Sequence, residues 1–455
     1  MIRKTITVII LAALFSSCHI YRAYERPESV TVSDSLYREP VSVADSVSLA
    51  SLTWRELFRD SQLQQLIERG LTHNTDLRIA CLKVKETEAL LMTSRLSYLP
   101  SVSLNPQGTL TSVDGSKPSK TYNLAVAADW EIDFFGKLLN AKRGAQAALE
   151  QSEAYRQAVQ TQLIATIANS YYTLLLLDEQ LGITQRTAET WTECLRTMKA
   201  LKRAGQVTEM AVAQTEASKL AVDASVVSIE RQINEMENSL SVLLGMPPQE
   251  ISRSVLGKQE FPDSLATGVP LQLLSCRPDV RQCEYQLAVA YYATNSACSA
   301  FYPSITLSGA AGWTNSAGAA ITNPGQWLLS AVGSLVQPFF NRGKNIANLK
   351  IAKAQQEEAL LTFQQSVLNA GAEVNNALVQ WQTARKRILL DEQQVVSLRS
   401  AFRSSELLML HSSQNYLEVL AARQSLLQAE LDTATDRFDE IQGVINLYHA
   451  LGGGY

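Results

Sequence analysis

The stretch YNLAVAADWEIDF, residues 122–134, decides how the rest of the chain is read. Tyr122, Leu124, Val126, Ala128, Trp130, Ile132 and Phe134 share one face of an extended backbone. Asn123, Ala125, Ala127, Asp129, Glu131 and Asp133 share the other. A period of two is that of a strand, whose successive side chains point to opposite sides. Two environments accept such a strand. In a soluble antiparallel sheet the apolar face rests on a core. In a bilayer-spanning barrel it faces lipid, and the polar face, here with Asp129, Glu131 and Asp133, lines a wet lumen. Alternation alone is compatible with both.

Working outward, the chain says much of this twice. SYLPSVSL (97–104) returns as AFYPSITL (300–307). Shifted by 203, Leu71–Thr111 fall on Leu274–Thr314 without a gap, with Asp76, Arg78 and Pro100 meeting Asp279, Arg281 and Pro303. Shifted by 207, Gly136–Gly245 fall on Gly343–Gly452. Between the two registers DFFGK (133–137) faces PFFNRGK (338–344), a two-residue insertion. A fixed internal period marks a duplicated architecture and is sought before any single element is assigned.

Each half follows one order. A helix is expected over 61–97 and over 278–300. Pro100 and Pro303 then stop it, because proline disfavours the helical region for the residue before it and is tolerated at the first residue of a strand. Two strands of about ten to thirteen residues follow, joined by turn-rich stretches. In the second half Ile305, Leu307, Gly309, Ala311 and Trp313 alternate with Thr306, Ser308, Ala310 and Gly312. Gly136 and Gly343 return the chain to helix. From Gly136 to Gly205 there is no proline. Tyr155, Val159, Leu163, Ile167, Tyr171, Leu174, Leu177 and Leu181 recur at steps of three or four, as do Leu360, Phe363, Val367, Ala370, Val374, Leu378 and Trp381. That is close to a coiled-coil seam. Seventy helical residues would make a rod of roughly 100 Å. Breaks near Gly205 and Ser412-Ser413 lead into final helices over 209–245 and 416–450.

The N-terminus has a basic start (Arg3, Lys4), a short apolar core from Ile6 to Phe15, and small Ser16 and Ser17 before Cys18. This is an export signal and is set apart from the fold. Small residues directly before a cysteine resemble the bacterial lipobox, which implies cleavage before Cys18 and acylation of its thiol; the other reading is an ordinary signal peptide with Cys18 incidental. His19, not aspartate, follows, which in the enterobacterial sorting rule implies the outer membrane. The expected organisation is thus a signal peptide over 1–17 and a lipid-anchored extended segment over 18–60. The first repeat covers 61–245, a linker or equatorial segment 246–270, the second repeat 271–452, and a short tail 453–455.

Composition narrows the function. The 455 residues are 46% hydrophobic and 18% charged, with a net charge of −4, which gives no reason to expect nucleic acid as a partner. Cys81, Cys194, Cys276, Cys283 and Cys298 show no CxxC spacing and read as small core residues. The histidines (19, 73, 411, 449) are scattered, so neither a metal site nor a cofactor is expected. No nucleophile–base set and no phosphate-binding glycine loop appears, so an enzyme is not expected.

Four strands are too few to close a barrel, for which about eight is the minimum. A membrane sheet cannot leave open edges. Membrane strands here would therefore require several chains to share one barrel, with the long helices continuing it as a tube. At this point the residues resemble the TolC/OprM-type outer-membrane factors, in particular the lipoprotein branch serving RND-type efflux pumps. The resemblance rests on YRAYERP (21–27), WRELFRDSQLQQLIERGLTHNTDLRIA (54–80), WEIDFFGK (130–137), QPFFNRGK (337–344) and two helix turns, in order along a duplicated frame.

The resemblance implies a mainly α fold with membrane β-strands, trimerising into a 12-stranded β-barrel and a periplasmic α-barrel. It implies an exit duct for small molecules, supplied by an inner-membrane RND-type transporter through a periplasmic adaptor. The turn KRAGQVTEMAVAQTE (202–216) is similar to the family's adaptor-contacting tip, which assigns Arg203, Gly205 and Thr208 to that contact. Ala211 stands where the family often has aspartate. In LHSSQNYLEVLAARQ (410–424), Ser412 replaces the glycine, while Tyr416 and Glu418 fit the family's Tyr-Leu-Asp-Val pattern conservatively, and the resemblance assigns Ser412, Asn415 and Tyr416 to the adaptor contact. Glu209 and Glu418 are the gate candidates, since rings of one carboxylate repel each other and attract cations. The plain alternative is that a glutamate in a first helical turn answers the helix dipole. Two other functions stand beside the duct: a duct for metal ions or secreted protein, and a periplasmic coiled-coil adaptor or scaffold.

Overall fold

A computed structural model gives the two halves one order of elements. The first half holds α1 (Trp54–Leu57), α2 (Ser61–His73), α3 (Thr75–Leu96), β1 (Ser101–Thr111), β2 (Ser119–Ile132), α4 (Lys137–Arg203) and α5 (Glu209–Leu243). The second holds α6 (Pro278–Ser299), β3 (Ser304–Thr314), β4 (Gln326–Val336), α7 (Lys344–His411) and α8 (Tyr416–Ala450). The described residues are 21–27, 52–259, 261, 277–315, 326–411 and 416–453; for 326, 409–411 and 416 only the backbone is described. The signal peptide, Cys18, Ser412 and Asn415 lie outside them, as do Cys276, most of 18–60 and part of the 246–270 segment.

The helix expected over 61–97 is two helices, α2 and α3, parted at Asn74. The cause is that side chain. Its Oδ1 accepts from Leu77 N at 3.0 Å, starting α3, and its Nδ2 donates to Leu243 O at 3.0 Å, covering a carbonyl at the end of α5. The position 203 residues on is Arg277, whose Nη1 donates to Ala450 O at 2.9 Å at the end of α8. Leu243 and Ala450 are themselves 207 apart. Two unlike side chains thus satisfy the same orphaned helix-end carbonyl in each repeat. Arg277 is buried and tied to Asp279 (2.6 Å) and Glu373 (2.7 Å). Burial pushes the Asp279 carboxyl up, but the Arg277 guanidinium more than reverses this, so it ends below its ordinary value.

Both final helices close alike. Gly245 N bonds Val242 O and Met246 N bonds Ser241 O; Gly452 N bonds His449 O and Gly453 N bonds Tyr448 O. This pairing of bonds needs a left-handed residue, and Gly245 and Gly452 have φ of 65° and 81°.

The described residues gather into two compact units, each drawing on both repeats. One comprises the described residues within 1–31, 82–154 and 281–366. It contains a single antiparallel sheet of order β1-β2-β3-β4. β2 begins three residues before and ends two residues before the alternation in the sequence, because Phe134 and Phe135 turn out of the strand to pack edge to face. Beneath the sheet Ala147, Ala288 and Tyr292 form a small core with Tyr24, Tyr291 and Val289. The segment 21–27 is pinned there: Tyr24 N donates to Tyr292 Oη at 3.0 Å, and Arg26 grips Glu284.

The other unit comprises the described residues within 32–81, 155–280 and 367–455. Its centre holds Leu57, Phe58, Leu63, Ile67, Ile164, Ile167, Tyr171 and Leu174, all fully buried. Every seam residue expected on α4 and α7 is buried or half-buried. Residues following α5 dock on this unit: Met246, Ile251 and Leu256 are buried, and Arg253 bridges Asp178 and Glu237. Asp60, which caps α2, accepts from Tyr171 Oη (2.7 Å), Gln259 Nε2 (3.1 Å) and Ser254 Oγ. Burial pushes its carboxyl up and these donors pull it lower still, below its ordinary value.

Candidate functional site

Paired residues in an antiparallel sheet share a face, so the registers assign both faces. One carries Val102, Leu104 and Leu110 of β1, Leu124, Val126 and Trp130 of β2, Leu307 and Trp313 of β3, and Trp327, Leu329 and Leu335 of β4. These side chains are exposed, Leu110 by 69% and Leu329 by 85%. The opposite face carries Ser101, Ser103, Asn105, Asp129, Ser308, Ser330 and Ser334, with Asp129 accepting from Ser308 Oγ at 2.6 Å. Among the described residues the apolar face therefore covers no core of its own chain. Isolated exposed apolar residues are ordinary, but a contiguous face of leucine, valine and tryptophan needs an apolar environment. Aromatics mark both ends: Trp313 and Trp327 at 5.0 Å, and at the other end Tyr98, whose carbonyl accepts from Trp130 Nε1, and Phe135 stacked on Tyr302. Among the described residues both outer strands have one neighbour only. Among the described residues no helix is long and apolar enough to cross a membrane.

Pro100 and Pro303 follow the last turns of α3 and α6, closed by Leu99 N to Leu96 O and by Tyr302 N to Ser299 O, and each stands directly before a strand. Gly136 and Gly343 both have positive φ, 72° and 75°, and start α4 and α7. At Gly136 a Cβ would also meet the Tyr21 ring at 3.1 Å, so the backbone and the N-terminal segment each hold this position to glycine.

At the first helix turn α4 ends at Arg203. Gly205 N bonds Lys202 O and Gln206 N bonds Leu201 O, with Gly205 at φ 74°. Thr208 caps α5, its hydroxyl accepting from Ala211 N at 3.3 Å. Leu195, Met198, Ala211 and Val212 hold the turn together. Arg203 and Thr208 thus flank this corner, both exposed. Glu209, in the first turn of α5, is ion-paired with Lys202 of its own chain. At the second turn α7 ends at His411 and α8 starts at Tyr416, with Glu418 exposed in its first turn. The structure brings Glu209 and Lys202 together and shows no contact between Glu209 and Glu418.

Two buried polar groups besides Asn74 and Arg277 escaped the sequence reading. Arg423 lies between the rings of Trp191 (5.3 Å) and Phe402 (4.8 Å), and its Nη1 donates to Thr190 O at 2.9 Å. It joins α8 to α4 and α7, and burial pulls its guanidinium below its ordinary value. Asp436 of α8 is fully buried, 3.0 Å from Arg387 and beside the Asp391 carboxyl, both on α7. Burial first, and then the Asp391 carboxyl, push it up to about 7. Neither had a signal: a lone arginine or aspartate on a helix reads as solvated surface. Among the described residues no three metal-ligating side chains gather.

With this geometry in hand, the family model described as outer membrane efflux protein matches residues 66–246 and 269–453. The chain is 30% identical to the pyoverdine export outer membrane protein OpmQ of Pseudomonas putida, over 90% of this chain and 89% of that protein. It is 28% identical to the probable outer membrane lipoprotein SilC of Salmonella typhimurium, over 99% and 97%. Among solved structures, the open state of the Neisseria gonorrhoeae MtrE outer membrane channel superposes with a TM-score of 0.86 at 29% identity, over 96% of this chain and 98% of that one.

Proposed function

We propose how the parts divide the work in a chain that belongs to the outer membrane efflux protein family and is an outer-membrane efflux channel, the exit duct of a tripartite pump. Three copies join their four-stranded sheets edge to edge into one barrel. Cys18, acylated, anchors each copy beside it. The helices carry the duct into the periplasm, and the corners at Arg203, Gly205 and Thr208 and at Ser412, Asn415 and Tyr416 meet the adaptor, which links the duct to an RND-type inner-membrane transporter. The cargo is small molecules. OpmQ, to which the chain is similar, is named for export of pyoverdine, a cargo of that class.

The observation that carries this reading is the sheet, whose apolar face is bare and whose edges are unpaired among the described residues. A periplasmic scaffold of coiled coils would have no use for it. The test places one charge on each face. An arginine facing lipid near the bilayer centre costs about 2–4 kcal/mol, whereas one facing the lumen stays wet. Leu329→Arg is expected to deplete heat-sensitive trimers from the outer membrane, while Ser330→Arg, next in sequence but on the other face, assembles. Equal assembly of both variants would show that the apolar face does not meet lipid.

A further inference from the structure

The charges at the foot of the sheet repeat with the fold. α4 carries Lys137, Lys142 and Arg143 before its first acid, Glu150; α7 carries Lys344, Lys350 and Lys353 before its first acid, Glu357. Glu150 and Glu357 are 207 apart, as are Arg143 and Lys350. A solvated helix face usually mixes both signs, as α5 does with Lys219 beside Asp223 and Arg231 beside Glu235. Two stretches of cations without an acid, present in both repeats, leave positive charge to be answered from outside the chain.

Contacts sort these cations by face. Lys137 pairs with Glu131, on the polar face of the sheet, at 2.7 Å, and its counterpart in the second repeat is Lys344. Lys142 Nζ instead lies over the Tyr98 ring at 5.8 Å, and Tyr98 O accepts from Nε1 of Trp130, on the apolar face. Arg143 Nη1 donates to Tyr21 O at 3.4 Å. One turn on, Gln146 Oε1 accepts from Arg95 Nη2 at 3.3 Å, which brings a third cation from α3. In the second repeat Lys350 holds the place of Arg143 and Lys353 that of Gln146, while Cys298 holds that of Arg95. The second repeat thus carries on the helix itself the charge that the first borrows from α3. Asp133, the remaining acid at this level, caps α4 by accepting from Leu139 N at 2.7 Å. Among the described residues Arg95, Lys142, Arg143, Lys350 and Lys353 form no ion pair.

We propose that these five side chains form a phosphate-binding belt whose ligand is the headgroup of an anionic phospholipid in the adjoining leaflet. This rests on the reading of the apolar face as lipid-facing. Lys142, Arg143 and Lys350 stand five or six residues past the first residue of their helices, about 8–9 Å along the axis, and Lys353 about 14 Å. The headgroup layer on each side of a bilayer is about 5–7 Å deep. Helical side chains lean toward the N-terminus, here back toward the sheet, and the long stems of Lys and Arg cover the remaining distance. Aromatic rings mark the boundary at this end of the sheet: Phe135 stacks on Tyr302, and Phe339 and Phe340 are 94% and 87% exposed. Cations without acids beside them disfavour a headgroup that carries its own ammonium, so the ligand is one with phosphate and no amine.

Full-length protein is assembled in vesicles of equal parts phosphatidylglycerol and phosphatidylethanolamine and released in mild nonionic detergent. The lipids that stay with the trimer are then counted by mass spectrometry. Phosphatidylglycerol is expected in about fivefold excess, the factor that one cation near an anionic surface supplies. Arg143→Gln with Lys350→Gln should bring the ratio below about twofold. Arg143→Lys with Lys350→Arg, which keeps both charges, should leave it unchanged, as should Lys219→Gln with Arg231→Gln, which removes two charges from α5. Salt at about 1 M, where the screening length is about 3 Å, should erase the excess in the unaltered protein, a result that stands even where a variant fails to assemble. An excess that ignores the glutamines or the salt, or one that inorganic phosphate removes while chloride of equal ionic strength does not, would overturn the lipid belt and leave the channel standing. Absence of trimers from the unaltered protein would overturn the shared barrel itself.

Discussion

Arg423 is the side chain whose removal should be felt furthest away. It ties α8 to α4 through Thr190 O and is held between Trp191 and Phe402, with Glu406 at 3.8 Å. A hydrogen bond from an ionised donor contributes about 1.5–3 kcal/mol net. Each cation–π contact adds about 0.5–2 kcal/mol. Against these stands the desolvation of the guanidinium, a cost of several kcal/mol for a buried ion, visible here in its lowered pKa. The gains come to about 2.5–7 kcal/mol, so that after desolvation a balance of about 1–3 kcal/mol, the usual size of a coupling between two states, is the expectation to test. Arg423→Met keeps the length of the stem between the rings and removes the charge and the fork. It should shift the population toward α8 standing off α4 by roughly 5- to 150-fold. Single-channel conductance in planar bilayers reads this directly, and hydrogen exchange at the amides of 188–194 reads it without a pore. Both should rise, with Arg423→Lys between Met and wild type. If Arg423→Met leaves conductance unchanged and protects those amides better, desolvation outweighs the contacts and Arg423 is no tie.

Asp436 gives the helices a pH dependence. Its pKa in the fold is about 7 against an ordinary 3.8, so the folded chain holds the proton more tightly and loses stability as pH rises from about 4 through about 7. Asp391 and Asp439 on the two helices oppose its charge and Arg387 partly answers it. Helical melting between pH 5 and pH 8 should fall by less in Asp436→Asn, and the variant should be the more stable at pH 8. Gly205 has open space around its Cβ position but a left-handed backbone, so Gly205→Val should cost about 1–2 kcal/mol, measured by melting, and Gly205→Asn much less. If carboxylates gate the duct, Glu418→Gln should change cation selectivity in planar bilayers more than Glu209→Gln, because Lys202 already answers Glu209.

The architecture was open to reading from the sequence because its determinants are local and periodic. The alternation at 122–134, the proline stops and the duplication each need only neighbouring residues or a fixed offset. Whether the apolar side rests on a core or stands bare was not open to reading, since that depends on what lies over Leu124 and Trp130, and only the pairing of all four strands shows that, among the described residues, nothing of their own chain does. Arg423 sat inside a stretch read for its turn residues. Its partners, Thr190 and Trp191, lie more than 230 positions away, and no periodicity connects them. Asn74 and Arg277 hid for another reason: they do the same work with different chemistry, so aligning letters does not pair them.

That last case shows what duplication preserves. Where the backbone must turn left-handed at the root of a helix or at its far end, both repeats keep glycine: Gly136 with Gly343, and Gly245 with Gly452. Where a carbonyl must be covered, both keep a donor but not its identity. At the corners joining the long helices the repeats part company: Gly205 faces Ser412, Lys202 faces Met409, and Glu209 faces Tyr416. The conserved positions are those that a sheet and a helix need in order to join, a constraint equal in both repeats. The corners carry no such shared constraint, so the charge paired at the first has no counterpart at the second. Three copies of such a chain present two kinds of corner in alternation. An adaptor that meets the ring of corners therefore meets two different surfaces, one bearing the Lys202–Glu209 pair and one without it.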